Sequence, residues 1–170
     1  MKIRNLSLKD APLMLEWMHD PDVVKDLQAN FAAKTMEDCR AFIESAQDTS
    51  ANLHMAITDD NDEYMGTVSL KHIRAETAEF GITIRKAAMG KGLSQTAMAE
   101  IISYGFDKLG LKCVYWCVNP LNTRAVRFYD KNGYQRIDVN QAVIRKDIDE
   151  IGAYTNAQIE QYIWYCVLQQ

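Results

Sequence analysis

Residues 78–109, AEFGITIRKAAMGKGLSQTAMAEIISYGFDKL, constrain the fold of this chain more than any other stretch. Phe80, Ile82 and Ile84 alternate with Gly81, Thr83 and Arg85, the period of two that marks an extended segment with two distinct faces. From Met98 the period changes, and apolar residues at Met98, Ile101, Ile102, Phe106 and Leu109 form the single stripe of a helix. Gly90-Lys91-Gly92 lies between the two patterns. Glycines at such a turn let the backbone come close to a ligand, and the unpaired N–H groups opening the helix point outward, where they can hold an anion. The stretch is expected to be a strand, a turn and a helix. The turn reads either as a phosphate site or as a tight connection with no ligand.

Two known phosphate loops fit poorly. A P-loop needs four residues between its glycines and a Ser or Thr after its lysine, whereas Lys91 is followed by Gly92. The dinucleotide fingerprint needs a third glycine where this chain has Gln95.

With 170 residues, 48% hydrophobic and 25% charged, a single domain over residues 1–170 with an adequate core is expected. A net charge of -4 speaks against a nucleic-acid partner. The start, MKIRNLSLKD, has no apolar run suited to a signal peptide, and no stretch is apolar for long enough to cross a bilayer. The expected location is therefore the cytoplasm, with no membrane partner. Cys39, Cys113, Cys117 and Cys166 are scattered and read as buried free thiols, so no metal is expected.

In chain order, Lys2 to Leu6 reads as a first strand, followed by a helix capped by Asp10 and ending near Asp20-Pro21. Thr35 to Asp38 resembles a capping box opening a second helix, with Cys39, Phe42, Ile43 and Ala46 on its buried stripe. Leu53–Thr58 and Tyr64–Ile73 form a hairpin around the polar turn at 59–63, which lacks the spacing of a calcium loop. After the long helix, Gly110 is placed as its cap and Cys113–Val118, CVYWCV, reads as a strand buried on both faces. A right-handed crossover makes that strand parallel to the one near 79–85. A helix follows from Asn122, with Ala125, Phe128 and Tyr129 on one side and Gly133 as its stop. Strands at Gln135–Asp138 and Tyr162–Leu168 complete an α/β chain of the α+β type. Its sheet is mixed and mostly antiparallel, with about six to seven strands, a central parallel pair and about four flanking helices.

Two spaced signals coincide: Arg85-Lys86-x-x-x-Gly90-x-Gly92 after one strand, and Asn122-x-x-Ala125-x-x-x-Tyr129-x-x-x-Gly133-Tyr134 after the next. Together they closely resemble the GNAT family of acyl-CoA N-acyltransferases. The opening Leu-x-Leu-x-Asp10, Glu16-Trp17-x-x-Asp20-Pro21-x-Val23 and Ala78-Glu79-Phe80 look like the branch of ribosomal-protein and spermidine acetyltransferases. The resemblance implies the GNAT fold, acetyl-CoA as co-substrate and a primary amine as acceptor: a polyamine, an amino sugar or a protein N-terminus. It implies that main-chain groups of Ile82, Thr83 and Ile84 hold the pantetheine arm. Met89, Gly90, Lys91, Gly92, Leu93 and Ser94 would hold the pyrophosphate. Asn122 would contact the cofactor, cap its own helix or do both. Where the family usually has Gln or Arg three residues before the first glycine, this chain has Ala87, so backbone N–H groups are expected to do the binding there.

The resemblance also gives Tyr129 the place facing the cofactor sulfur. A phenol of pKa ~10 stays protonated at neutral pH and can protonate a departing thiolate of pKa near ~8.5. The acceptor is the harder problem, because freeing the lone pair of an alkylamine of pKa ~10.4 at pH 7 costs about 4–5 kcal/mol. Glu79 is the expected base and Glu76 is less well placed, while His19, His54 and His72 have no motif support. Direct attack of the amine on the thioester is expected rather than a cysteine intermediate, since Cys113 and Cys117 have no partnered histidine. Trp17, Phe31 and residues 138–160, with Asp147, Asp149 and Glu150, are candidates for the acceptor side, or the last segment is a solvated loop. Tyr162, Trp164 and Tyr165 suit either a homodimer surface or the core. Rival functions are a non-catalytic acyl-CoA-binding sensor module and a nucleotide-binding protein. Tyr129 speaks against the sensor.

Overall fold

The computed structural model of the protein describes residues 1–27 and 29–170. Its elements run β1 (Lys2–Asn5), α1 (Ala11–Met18), α2 (Pro21–Val24), α3 (Met36–Ser45), β2 (Leu53–Thr58), β3 (Tyr64–Lys71) and β4 (Thr77–Ile84). They continue with α4 (Leu93–Leu109), β5 (Cys113–Val118), α5 (Thr123–Lys131), β6 (Gln135–Ile137), α6 (Arg145–Ile151), α7 (Asn156–Gln161) and β7 (Ile163–Leu168). The strands form one seven-stranded sheet in the order β1-β2-β3-β4-β5-β7-β6. Every pairing is antiparallel except that of β4 with β5. The mixed sheet with its one parallel pair is the architecture the sequence led us to expect.

The helix ends follow local chemistry. Thr35 Oγ1 accepts the Asp38 N–H (3.2 Å) and the Asp38 carboxylate accepts the Thr35 N–H (2.8 Å), closing the expected box at the start of α3. Asp10 behaves differently from the expected cap of α1. Its carboxylate accepts the Ser7 N–H (2.9 Å) and pairs with Arg4 (2.8 Å), joining β1 to the turn before the helix.

Among the described residues there are seven α-helices where about four were expected. The difference lies mainly between β6 and β7, where the segment read as an acceptor wall or solvated loop holds α6 and α7. Helices of seven and six residues do not stand alone in water. These two exist because Ile144, Ile148 and Ile159 bury against Tyr115 and Trp164. Local signals were nevertheless in the sequence: Gly152 stops α6 in the left-handed region (φ 69°), and Thr155 with Gln158 forms a capping box.

Strand alternation divides the core. Val68, Leu70, Phe80, Val114, Trp116 and Tyr165 lie on the face covered by α4 and α5. On the other face, α1 and α3 cover the β1–β3 half while α6 and α7 cover the half built from β5, β7 and β6. The outer-row residues of β4, Glu79, Gly81 and Thr83, lie between these two covers, opposite Lys71, Ser69 and Thr67 of β3. Trp164 and Tyr165, considered for a dimer surface, are buried in the core. Among the described residues no helix is long and apolar enough to cross a membrane.

Candidate active site

The sheet parts in its middle. The parallel ladder between β4 and β5 runs only from Thr77 to Glu79 against Cys113 to Tyr115, while β3 pairs with β4 as far as Ile84. β5 instead pairs with β7 along its whole length, Cys113 to Val118. Beyond Glu79, the backbone groups of Phe80 to Ile84 that point away from β3 therefore have no strand partner. Such groups need one, and an extended ligand bearing amides supplies it by adding itself as a strand. Ile82, Thr83 and Ile84 lie on this open edge.

The edge leads into the glycine turn. Gly90 and Gly92 have φ of 77° and 74°, which only glycine adopts cheaply, and a Cβ at either would meet nothing within 4 Å. Gly92 is the N-cap of the 17-residue α4 and has no side chain to satisfy the first N–H groups, those of Leu93 and Ser94 among them. Lys91 is exposed beside them. Arg85, buried at the end of β4, fixes the entry to this turn. Its guanidinium binds Glu16 of α1 (2.9 and 3.1 Å), Glu63 (2.7 Å) and the Tyr64 carbonyl (3.0 Å). From the far side, the Arg124 guanidinium of α5 reaches the sulfur of Met89. Asn122 caps α5 by accepting the Ala125 N–H (3.2 Å), so its capping role is present in the structure. Arg124 of α5 thus meets the glycine turn at Met89, and the unpaired N–H groups that open α4 suit an anion.

Tyr129 is 8% exposed and packs against Trp116 and Tyr165, with ring centroids 5.3 and 5.2 Å away. Burial pushes its phenol well above the ordinary range, so it holds its proton. Among the described residues its hydroxyl has no hydrogen-bond partner, yet it is not sealed from solvent. Cys117 of β5 lies within electrostatic reach of Tyr129, Glu79 and Tyr154.

Glu79, the base expected from the sequence, is only 3% exposed. Its Oε1 accepts both the Lys71 ammonium (2.9 Å) and the Tyr154 hydroxyl (2.9 Å), while Oε2 faces His72 Nδ1 at 3.8 Å. Burial alone would raise its pKa. The contacts with His72, Lys71 and Tyr154 outweigh burial and hold the carboxyl below its ordinary value, so it is a charged acceptor at neutral pH. Cys117 is pushed up to about 12 by burial and stays a thiol, and Cys113 faces Cys166 (2.9 Å) rather than a histidine. Neither is built as a nucleophile. Glu76 is exposed and its carbonyl accepts the N–H groups of Lys112 and Cys113, which places it outside the cluster around Glu79.

The acidic residues considered for the acceptor side are already engaged. Asp147 and Glu150 hold Arg74, Asp147 also accepts the Thr77 hydroxyl (2.8 Å), and Asp149 pairs with Arg145 (2.9 Å). Asp147 and Glu150 tie α6 to the start of β4, whereas the Asp149 pair lies within α6. Trp17 is buried, donating its indole N–H to the Tyr64 hydroxyl (3.0 Å), which in turn meets Thr67 Oγ1 (2.7 Å); Phe31 packs edge-on against it. Among the described residues no group of three or more His, Cys, Asp or Glu is arranged to hold a metal. A hollow on the outer side of α5, lined by Pro120, Thr123, Val126, Arg127, Asp130 and Lys131, contains none of the candidate residues.

Lys71, His72 and Tyr154 were missed as partners of Glu79. Lys71 is its cross-strand neighbour, which is visible only once the β3–β4 register is known, and Tyr154 arrives from a segment 75 residues away.

Residues 1–135 match the family described as Acetyltransferase (GNAT) domain. The uncharacterized N-acetyltransferase p20 of Bacillus licheniformis is 29% identical over 143 residues, 80% of this chain and 79% of the relative. The acetyltransferase PseH of Campylobacter jejuni is 23% identical over 81% of this chain and 87% of its own length. Among solved structures, the spermidine N-acetyltransferase of Vibrio cholerae, crystallised with CoA and spermine, superposes with a TM-score of 0.76 at 19% identity, covering 99% of this chain and 95% of that one. With a family match over most of its length and this fold, the chain belongs to the GNAT family of N-acetyltransferases, enzymes that transfer an acetyl group to an amine.

Proposed function

We propose that this enzyme takes its acetyl group from acetyl-CoA, whose thioester supplies the activated acyl carbon, and that the parted β4–β5 edge is where the transfer occurs. The observation that carries the reading is the end of the β4–β5 ladder at Glu79, directly before the open edge of Phe80 to Ile84. The main chain of Ile82, Thr83 and Ile84 aligns the extended arm of the donor, and backbone N–H groups of this edge stabilise the oxyanion that develops when the amine attacks. Met89 to Ser94 hold the pyrophosphate and Asn122 supports it from α5. Glu79 takes a proton from the acceptor amine, and Tyr129 gives one to the departing thiolate, so both groups end the reaction ready to be reset.

The acceptor is a small-molecule or peptide primary amine. Relatives carry the names of spermidine acetyltransferases and PseH, and this range supports a small amine rather than a macromolecular surface. The engagement of Asp147, Asp149 and Glu150 with arginines leaves no free acidic wall on α6 for a polycation. A cytoplasmic location belongs to the same proposal, and a homodimer stays within it as a question for solution scattering.

The test is CoA release from acetyl-CoA over a panel of polyamines, amino sugars, amino acids and peptide N-termini. Tyr129→Phe is expected to bind acetyl-CoA as wild type does and to lose about 10²–10⁴ in turnover. Unchanged turnover removes Tyr129 from the acid role. Thermal stabilisation by CoA but not by ATP or NAD rejects a nucleotide-binding protein, and CoA binding without turnover on any amine favours the sensor module.

A further inference from the structure

A buried base must return its proton to water in every turnover, and Glu79 is almost wholly shielded from solvent. Three groups touch it. Tyr154 is held far above the ordinary phenol range by burial and keeps its proton. The Lys71 ammonium is a donor with no lone pair to receive one. His72 remains, and three independent features single it out. Its Nδ1 is buried without a hydrogen-bond partner, a rare condition for a polar atom in a folded protein. Its backbone sits at φ 50°, in the left-handed region that non-glycine residues seldom occupy and that tends to be kept at functional sites. That backbone is held there by the Asn52 side chain, whose Oδ1 accepts the His72 N–H (2.9 Å). The ring is a third exposed, so it spans from the buried carboxylate to solvent.

The gap of 3.8 Å between Nδ1 and Glu79 Oε2 is too long for a hydrogen bond. With the ring proton on Nδ1 the imidazole favours the charged carboxylate, and with the proton on Nε2 the free Nδ1 lone pair faces Oε2 and can take a proton that arrives there. A closure of under about 1 Å would then make a charge-assisted bond.

We infer that His72 is the proton outlet of Glu79, a positioning residue that acts through the carboxylate and never touches the acceptor. The acceptor N–H bond breaks as its proton joins Glu79 Oε2. That proton passes to His72 Nδ1 while the Nε2 proton leaves to water, and a flip or re-exchange of the ring restores the starting tautomer. An ammonium acceptor loses two protons in becoming an amide, one to water by this route and one to the CoA thiolate through Tyr129, so charge and atoms balance. The titratable groups around the cluster are Lys71 on β3, Glu79 on β4, His54 on β2, Tyr115 and Cys117 on β5 and Tyr154 between α6 and α7.

This inference rests on Glu79 being the base, and the experiment separates the two. Histidine NMR on the whole chain follows the two His72 ring nitrogens in wild type and in Glu79→Gln. Loss of the carboxylate is expected to change how the ring proton is shared between Nδ1 and Nε2; an unchanged tautomer balance overturns the coupling, whatever the acceptor. With the best amine from the panel, His72→Gln is expected to lower kcat about 10–100-fold with KM within twofold. It should also be partly rescued by added imidazole. A Glu79→Gln variant that keeps wild-type kcat refutes Glu79 as base. A Glu79→Gln variant that is slow beside a His72→Gln variant that is not refutes the outlet alone. Far-UV circular dichroism and CoA-induced stabilisation confirm that each variant is folded.

Discussion

Glu79 and Lys71 show how one residue's role depends on its neighbours. Two donors serve Oε1 and leave Oε2 to His72, so the carboxylate stays charged in a site from which water is largely excluded. Lys71→Met removes one of these donors. A fully buried ion pair broken from one side costs about 3–5 kcal/mol, but Lys71 is 35% exposed and Tyr154 remains, so the expected cost is about 2 kcal/mol in urea unfolding at pH 7. The folded Glu79 pKa lies below the unfolded one, so its contribution is present above the ordinary carboxylate range and fades as pH falls through the folded value. Lys71→Met raises that folded value, and the acid-side loss of stability should shrink. An equal loss in wild type and variant between pH 7 and 3 contradicts the pairing.

Elements, rather than residues, create the cleft. β3 holds β4 on one side as far as Ile84, β7 holds β5 on the other, and the strands part between them. Gly66 is what lets β3 approach the end of β4. A Cβ there would lie 2.4 Å from the Thr83 carbonyl oxygen and 2.9 Å from Ile84 Cα, both backbone atoms that cannot swing away. Gly66→Ala is therefore expected to destabilise the fold by about 2–3 kcal/mol and to weaken acetyl-CoA binding by displacing Thr83 and Ile84. Chemical denaturation and calorimetric titration check the two effects, and a variant with wild-type affinity dissociates the β3 contact from the open edge. The same scale explains α6 and α7, whose apolar residues count for little until β5 and β7 offer them Tyr115 and Trp164.

At the scale of the whole molecule, α3 and the sheet trap a histidine. His54 lies under Phe42 (ring centroids 4.8 Å) and bonds Ser69 (2.7 Å); burial, aided by Lys71, lowers it to about 4. The unfolded chain binds this proton near pH 6.5 and the folded chain does not, so stability is full above pH 6.5 and declines by about 3 kcal/mol as pH falls toward 4. His54→Gln should flatten that slope in melts from pH 4 to 7; an unchanged slope assigns it to other groups. The sequence by itself determined the order of the strands and of the helices α1, α3, α4 and α5, the glycine turn at Gly90 to Gly92 and the two motifs that mark the family. These depend on periodicity, capping and left-handed backbone, which are properties of neighbours along the chain. Only the tertiary structure decided that Glu79 is buried among Lys71, His72 and Tyr154, that Arg85 anchors the turn through Glu16 and Glu63, and that α6 and α7 form where β5 and β7 offer them a partner. Each of these depends on strand register or on partners brought from tens of residues away, and no local pattern encodes which side chain a folded sheet sets opposite another.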